Sequence, residues 1–155
     1  MVMRRDGEPL TDRPERTSSS TLYEVMDFNF FLSSYYPDPS VGGAQLYAEM
    51  LDEAVLVESL GFTSVAIPEH HVINVLLNPA PLQFAVKVAD ATEHIDVVTS
   101  VVVLPLHDMR VFAGEVAMAD ILTDGRLVLG VGRGAFGYEM ARLGTPIDQS
   151  RAKFD

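Results

Sequence analysis

A chain of 155 residues, 48% of them hydrophobic, is long and apolar enough for one domain with its own core. Its formal charge of −11 argues against a nucleic-acid partner and an anionic membrane surface, and no apolar run approaches the ~20 residues of a membrane-spanning helix. The lack of cysteine excludes disulfides, thiolate zinc sites and a cysteine nucleophile, and fits a cytoplasmic protein.

The opening MVMRRDGEPLTDRPERTSSST is charged without an apolar stretch, so it is not a secretory signal. Residues 1–22 are expected to form a flexible polar tail, and 23–155 one domain. EVMDFNFFL (24–32) predicts a first strand, ended by the turn-rich SSYYPDPSVGG. Over 44–61, Leu46, Met50, Leu51, Ala54, Val55, Val57 and Leu60 recur at helical spacing, with Gly61 suited to the C-terminal cap. FTSVAI (62–67) predicts a second strand. NPAPLQFAVKVADATEH (78–94) predicts a second helix, with Asn78 as its cap and proline in its first turn. The β-branched run IDVVTSVVVLP (95–105) predicts a buried third strand. A third helix follows over 108–125 with Asp108 as cap, then a fourth strand, RLVLGVG (126–132), and a short helix, GYEMARLG (137–144). Asp148 is suited to cap one more helix.

Alternating strands and helices with tight loops imply parallel strands joined by right-handed crossovers. Two α/β architectures fit: an open doubly wound sheet, or a (β/α)8 barrel, of whose usual ~250 residues this chain would supply roughly half. Both bind ligands at the C-terminal ends of the strands. Polar residues gather there: Ser33, Ser34 and Tyr35; Glu69, His70 and His71; His107 and Asp108; and GRGAFGY after the fourth strand.

Adjacent residues at a strand end point to opposite sides, so one histidine of the pair is expected to face a pocket. No third ligand is placed for a metal, and none is expected. A single histidine acting as a base or polarising group stands beside the plainer reading of a loop histidine. In GVGRG (130–134) the glycines would let a ligand approach the backbone and Arg133 could grip a phosphate; the plainer reading is a tight turn with a surface arginine. Ser150 and Arg151 open an incipient helix whose free N–H groups favour anions, or simply form a charged helix start.

Taken together, PEHH, NPAPL, VVVLPLHDMRVFAGEVAMADILTDGRLVLGVGRG and FGYEMARLGTPIDQSRAKFD resemble the bacterial luciferase-like flavin-dependent monooxygenase family, in order and spacing, from about Met26 to Asp155. The resemblance implies a TIM-barrel-type (β/α)8 fold, represented by about its first four βα units. It implies an oxidoreductase that uses reduced FMN and O2 on a small organic substrate, with a separate flavin reductase as a possible supplier. F420-dependent hydride transfer and a non-catalytic half-barrel are the alternatives. Half a barrel would pair with a second copy or a complementing half. The resemblance assigns His70 to catalysis and Glu69 to the side of the flavin. It sets Ser100 and Val101 against the flavin ring, often through a non-prolyl cis peptide, and gives Arg133 and Arg151 the FMN phosphate. Gly132 stands where luciferase α subunits carry a reactive cysteine, which argues against light emission.

Overall fold

The computed structural model describes residues 27–155, and the tail expected over 1–22 lies outside the described residues. The elements follow in order: β1 (Asn29–Phe31), α1 (Gly43–Ser59), β2 (Ser64–Ile67), α2 (Pro81–Ala91), β3 (Asp96–Thr99), β4 (Val102–Val103), a 3-10 turn (Leu104–Leu106), α3 (Met109–Leu122), β5 (Leu127–Val128), β6 (Val131–Gly132), α4 (Gly137–Arg142) and α5 (Ser150–Phe154). Every pairing between these strands is parallel. The main sheet runs β1-β2-β3-β5, and β4 pairs with β6 in a second ladder. Strand order thus follows chain order, without the reversal that defines a doubly wound sheet.

The third and fourth predicted strands are each interrupted. The break in the third coincides with the Ser100–Val101 peptide, which is cis. The break in the fourth lies opposite it. There the Thr99 hydroxyl donates to the Gly130 carbonyl and accepts the Gly130 N–H, both at 2.9 Å, and the Val102 N–H reaches the same carbonyl at 2.9 Å. The two interruptions are therefore stitched to each other.

Helix α1 buries Leu46, Met50, Ala54 and Val57, a stripe at helical spacing. It packs with Phe84, Ala85 and Val88 of α2 against Val65, Ile67 and Val97 of the sheet. Val55 and Leu60, expected on that stripe, are exposed instead. A smaller cluster joins Leu82, Val102, Phe112 and Ala119 between α2, β4 and α3. Gly61 ends α1 with φ of +86°, and Asp108 caps α3 by accepting the Arg110 N–H at 3.0 Å, both as the sequence predicts.

Two other caps differ. Asn78 does not cap α2, which starts at Pro81 behind Ala80. Its amide donates to the Pro68 carbonyl at 2.8 Å and its own carbonyl accepts the His70 N–H at 2.9 Å. The buried loop after β2 needs these partners, and the fixed φ of Pro81 already suits a helix start. Asp148 does not cap α5 either: Gln149 precedes the helix with no side-chain bond, because the Pro146 turn already takes the Gln149 N–H at 2.9 Å.

The far end of the sheet is held by two charged side chains. Glu58 accepts the N–H groups of His94 and Ile95 at 2.8 Å and of Glu93 at 3.1 Å. Arg126 donates to the Ala89 carbonyl at 2.5 Å and to Thr92 Oγ1 at 3.0 Å. Among the described residues, no helix is long and apolar enough to cross a membrane.

Candidate active site at the strand ends

The exit of β2 is the most heavily bonded part of the rim. Glu69 is buried, and one of its oxygens accepts the Val103 N–H at 2.7 Å. The other meets Nε2 of His71 at 2.5 Å and Nε2 of His107 at 2.9 Å. Three segments, the ends of β2 and β4 and the turn before α3, therefore converge on one carboxylate. Burial alone would push its pKa up, but the hydrogen bonds from His107, His71 and Val103 outweigh burial and hold it at about 2. The same bond to Glu69 raises the pKa of His71 against the opposing effect of burial, with the Glu69 and Glu139 charges adding to the rise.

The side chain of Glu69, expected beside the flavin, is 0% exposed and faces protein donors, and it fixes the groups around it. The alternation at a strand end explains the split: Glu69 and His71 share one side and bond to each other, while His70 turns the other way.

His70 stands over α4. Its Nδ1 lies 3.5 Å from a Glu139 oxygen, and its ring meets Phe136 edge-on with centroids 5.1 Å apart. Glu139 also accepts the His71 N–H through its other oxygen. An open groove of about 580 Å³ runs beside His70, with Tyr47, Val72, Leu77 and Arg142 among its walls. Among the described residues, no group of three or more His, Cys, Asp or Glu side chains is arranged to hold a metal ion.

On the other side of the rim, Ser100 and Val101 are exposed, Val101 by 37%. The glycines behind them serve a purpose other than the ligand approach expected of GVGRG. A Cβ on Gly130 would lie 2.1 Å from the Thr99 carbonyl oxygen, and one on Gly132 2.6 Å from Val101 Cγ2. The chain's own neighbouring strand occupies that space, so these glycines let two strands approach. Arg133 follows them, exposed and without an ion-pair partner among the described residues. Arg151 lies on a separate element, α5, also exposed, with Asp155 Oδ2 3.6 Å from its Nε. That helix is docked on the turn after β4: Lys153 donates to Thr145 Oγ1 at 2.6 Å, and Thr145 Oγ1 lies 3.4 Å from the Pro105 carbonyl.

The structure thus gathers Glu69, His71 and His107 into one cluster, sets His70 beside it through Glu139, and leaves Val101 and the two arginines outward. Glu139 and Asn78 are the residues the sequence does not reveal as part of this site. A six-residue helix offers too little periodicity to mark Glu139 as buried, and Asn78 acts across a loop.

Comparison with known proteins shows the family and the fold. The family model described as luciferase-like monooxygenase matches residues 26–155. The oxygenase component of the flavin-dependent trigonelline monooxygenase of Acinetobacter baylyi is 32% identical over 118 residues, 76% of this chain and 33% of that protein. The monooxygenase RslO1 of Streptomyces bottropensis superposes with a TM-score of 0.77 at 31% identity, over 84% of this chain and 40% of that one. Two further structures share the fold at lower identity. The oxygenating constituent of 3,6-diketocamphane monooxygenase from Pseudomonas putida, in complex with FMN, has a TM-score of 0.74 at 22% identity and covers 84% and 38% of the two chains. An F420-dependent secondary alcohol dehydrogenase has a TM-score of 0.60 at 20% identity, covering 76% and 34%. The chain spans about a third of the length of the curated relatives it matches. Its parallel βα units are of the TIM-barrel type, and by the match over 26–155 the chain belongs to the luciferase-like monooxygenase family.

Proposed function

We propose that this chain carries part of the reduced-flavin site of a monooxygenase acting on a small organic substrate. The observation that carries the reading is the composition of the rim. A held, half-buried imidazole, an exposed apolar strand end at Val101 and the exposed guanidinium of Arg133 stand at the strand ends of a chain whose net charge is −11. An exposed arginine without a carboxylate partner suits an anion such as a phosphate. The exposed apolar side chain of Val101, beside Ser100, suits the face of a flat ring. When bound, reduced FMN would supply the electrons that activate O2. His70 would hold or accept a proton beside the reacting group, Val101 would pack against the ring, and Arg133 and Arg151 would bind the phosphate.

Anaerobic titration of the purified chain with reduced FMN, with the mass of the assembly measured in the same buffer, tests this. Saturable binding by a defined species is the expected outcome. Retention of F420 in place of FMN would move the reading to hydride transfer. A folded species that retains neither would leave the chain as a non-catalytic module.

A further inference from the structure

The contacts of His70 restrict which of its nitrogens can carry the proton. Nδ1 is buried and has no hydrogen-bond partner among the described residues; the nearest anionic group is the Glu139 carboxylate, with an oxygen 3.5 Å away. Glu139 is itself buried, 3% exposed, next to the buried Met140 in α4. Its other oxygen is engaged by the His71 N–H, which fixes the orientation of the carboxylate. The ring of His70 is flanked by Phe136, and its backbone N–H is tied to the Asn78 carbonyl at 2.9 Å. These two contacts hold the ring and the loop that bears it beside α4. A bare lone pair on Nδ1 would face a carboxylate oxygen and be repelled. A protonated Nδ1 would donate toward it. The side chain of His70 is 17% exposed, and because Nδ1 is buried that exposure falls on the rest of the ring.

We propose that Glu139 is a positioning residue that sets the tautomer of His70: the proton sits on Nδ1, and Nε2 presents its lone pair to the rim. His70 then meets a ligand as a hydrogen-bond acceptor and base rather than as a neutral donor. Only the identity of that ligand rests on the flavin reading; the tautomer is a property of the chain alone.

The test is the ring ¹⁵N spectrum of the cofactor-free chain, labelled at histidine, at a pH where His70 is neutral. The His70 signals are identified by their loss in His70→Gln. The Nδ1–H tautomer is expected in the parent, although imidazole side chains in water favour Nε2–H. In Glu139→Gln, one amide oxygen can still accept the His71 N–H, which turns the amide NH2 toward His70 Nδ1. Nδ1 must then accept, and the tautomer is expected to switch to Nε2–H. An Nε2–H tautomer in the parent, or the Nδ1–H form in both proteins, would overturn the proposal. The parent spectrum decides by itself if Glu139→Gln does not fold. Because no flavin is present, failure of FMN binding and failure of this assignment are separate results.

Discussion

The two sides of the rim are built on opposite plans. After β2, almost every polar group is answered from within the chain: Glu69 takes three donors, Glu139 takes the His71 N–H, and Asn78 holds the loop at both Pro68 and His70. After β6, the backbone is locked strand to strand at Gly130 and Gly132, yet Arg133 projects with no partner among the described residues. Arg151, on α5, has only a long exposed contact to Asp155. One side is pre-organised by its own hydrogen bonds; the other leaves guanidinium charge exposed. Substitutions should therefore separate stability from binding, side by side.

The largest effect is expected at Glu69. Glu69→Ala leaves the Val103 N–H and two imidazole nitrogens in a buried site without their acceptor. Breaking a buried hydrogen-bonded charge cluster in this way costs about 3–5 kcal/mol. Denaturant unfolding measures it, and a loss below about 1 kcal/mol would mean that the cluster does not fix the rim. The arginines should behave in the opposite manner. Arg133→Ala and Arg151→Ala should each weaken FMN by about 1.5–3 kcal/mol, the value of a charge-assisted contact. Their folding stability should change by no more than about 0.5 kcal/mol, as for other surface positions. Unchanged FMN affinity in both variants would remove the phosphate assignment.

How much of this was legible in the sequence follows the same division. The alternation of strands and helices, the Leu46–Met50–Ala54–Val57 stripe and the Asp108 cap are local patterns, and each is found where the spacing puts it. The interruption of 95–105 is not local. A run of β-branched residues reads as one strand, and only the pairing of Thr99 with Gly130 reveals that two short strands share it. The positions of His70 and Arg133 after strand ends follow from topology. The inward turn of Glu69 depends on donors from Val103 and His107, 34 and 38 residues away, which no spacing within PEHH announces. Asn78 shows the same limit: a residue well suited to a helix cap is drawn instead to a buried carbonyl ten residues before it.

The contrast can also be sharpened through pH. The Glu69 carboxyl lies at about 2, below its ordinary 4.5, so its contribution to stability is complete above pH 4.5 and is lost as pH falls toward 2. The His71 pKa is raised above its ordinary 6.5, so its contribution is complete below pH 6.5 and is lost as pH rises through the folded value. Both are in place only between about pH 4.5 and 6.5, where this side of the rim should be firmest. The two shifts share the bond between Glu69 and His71, so they can be pulled apart by substitution. His71→Gln should flatten the alkaline limb and leave the acid limb, because Val103 and His107 still donate to Glu69. Glu69→Gln should remove the acid limb and shrink the alkaline one, whose remainder comes from the Glu139 charge. The difference between parent and variant curves therefore reports the β2 side of the rim. An alkaline limb that survives His71→Gln would assign the titration to a group other than His71.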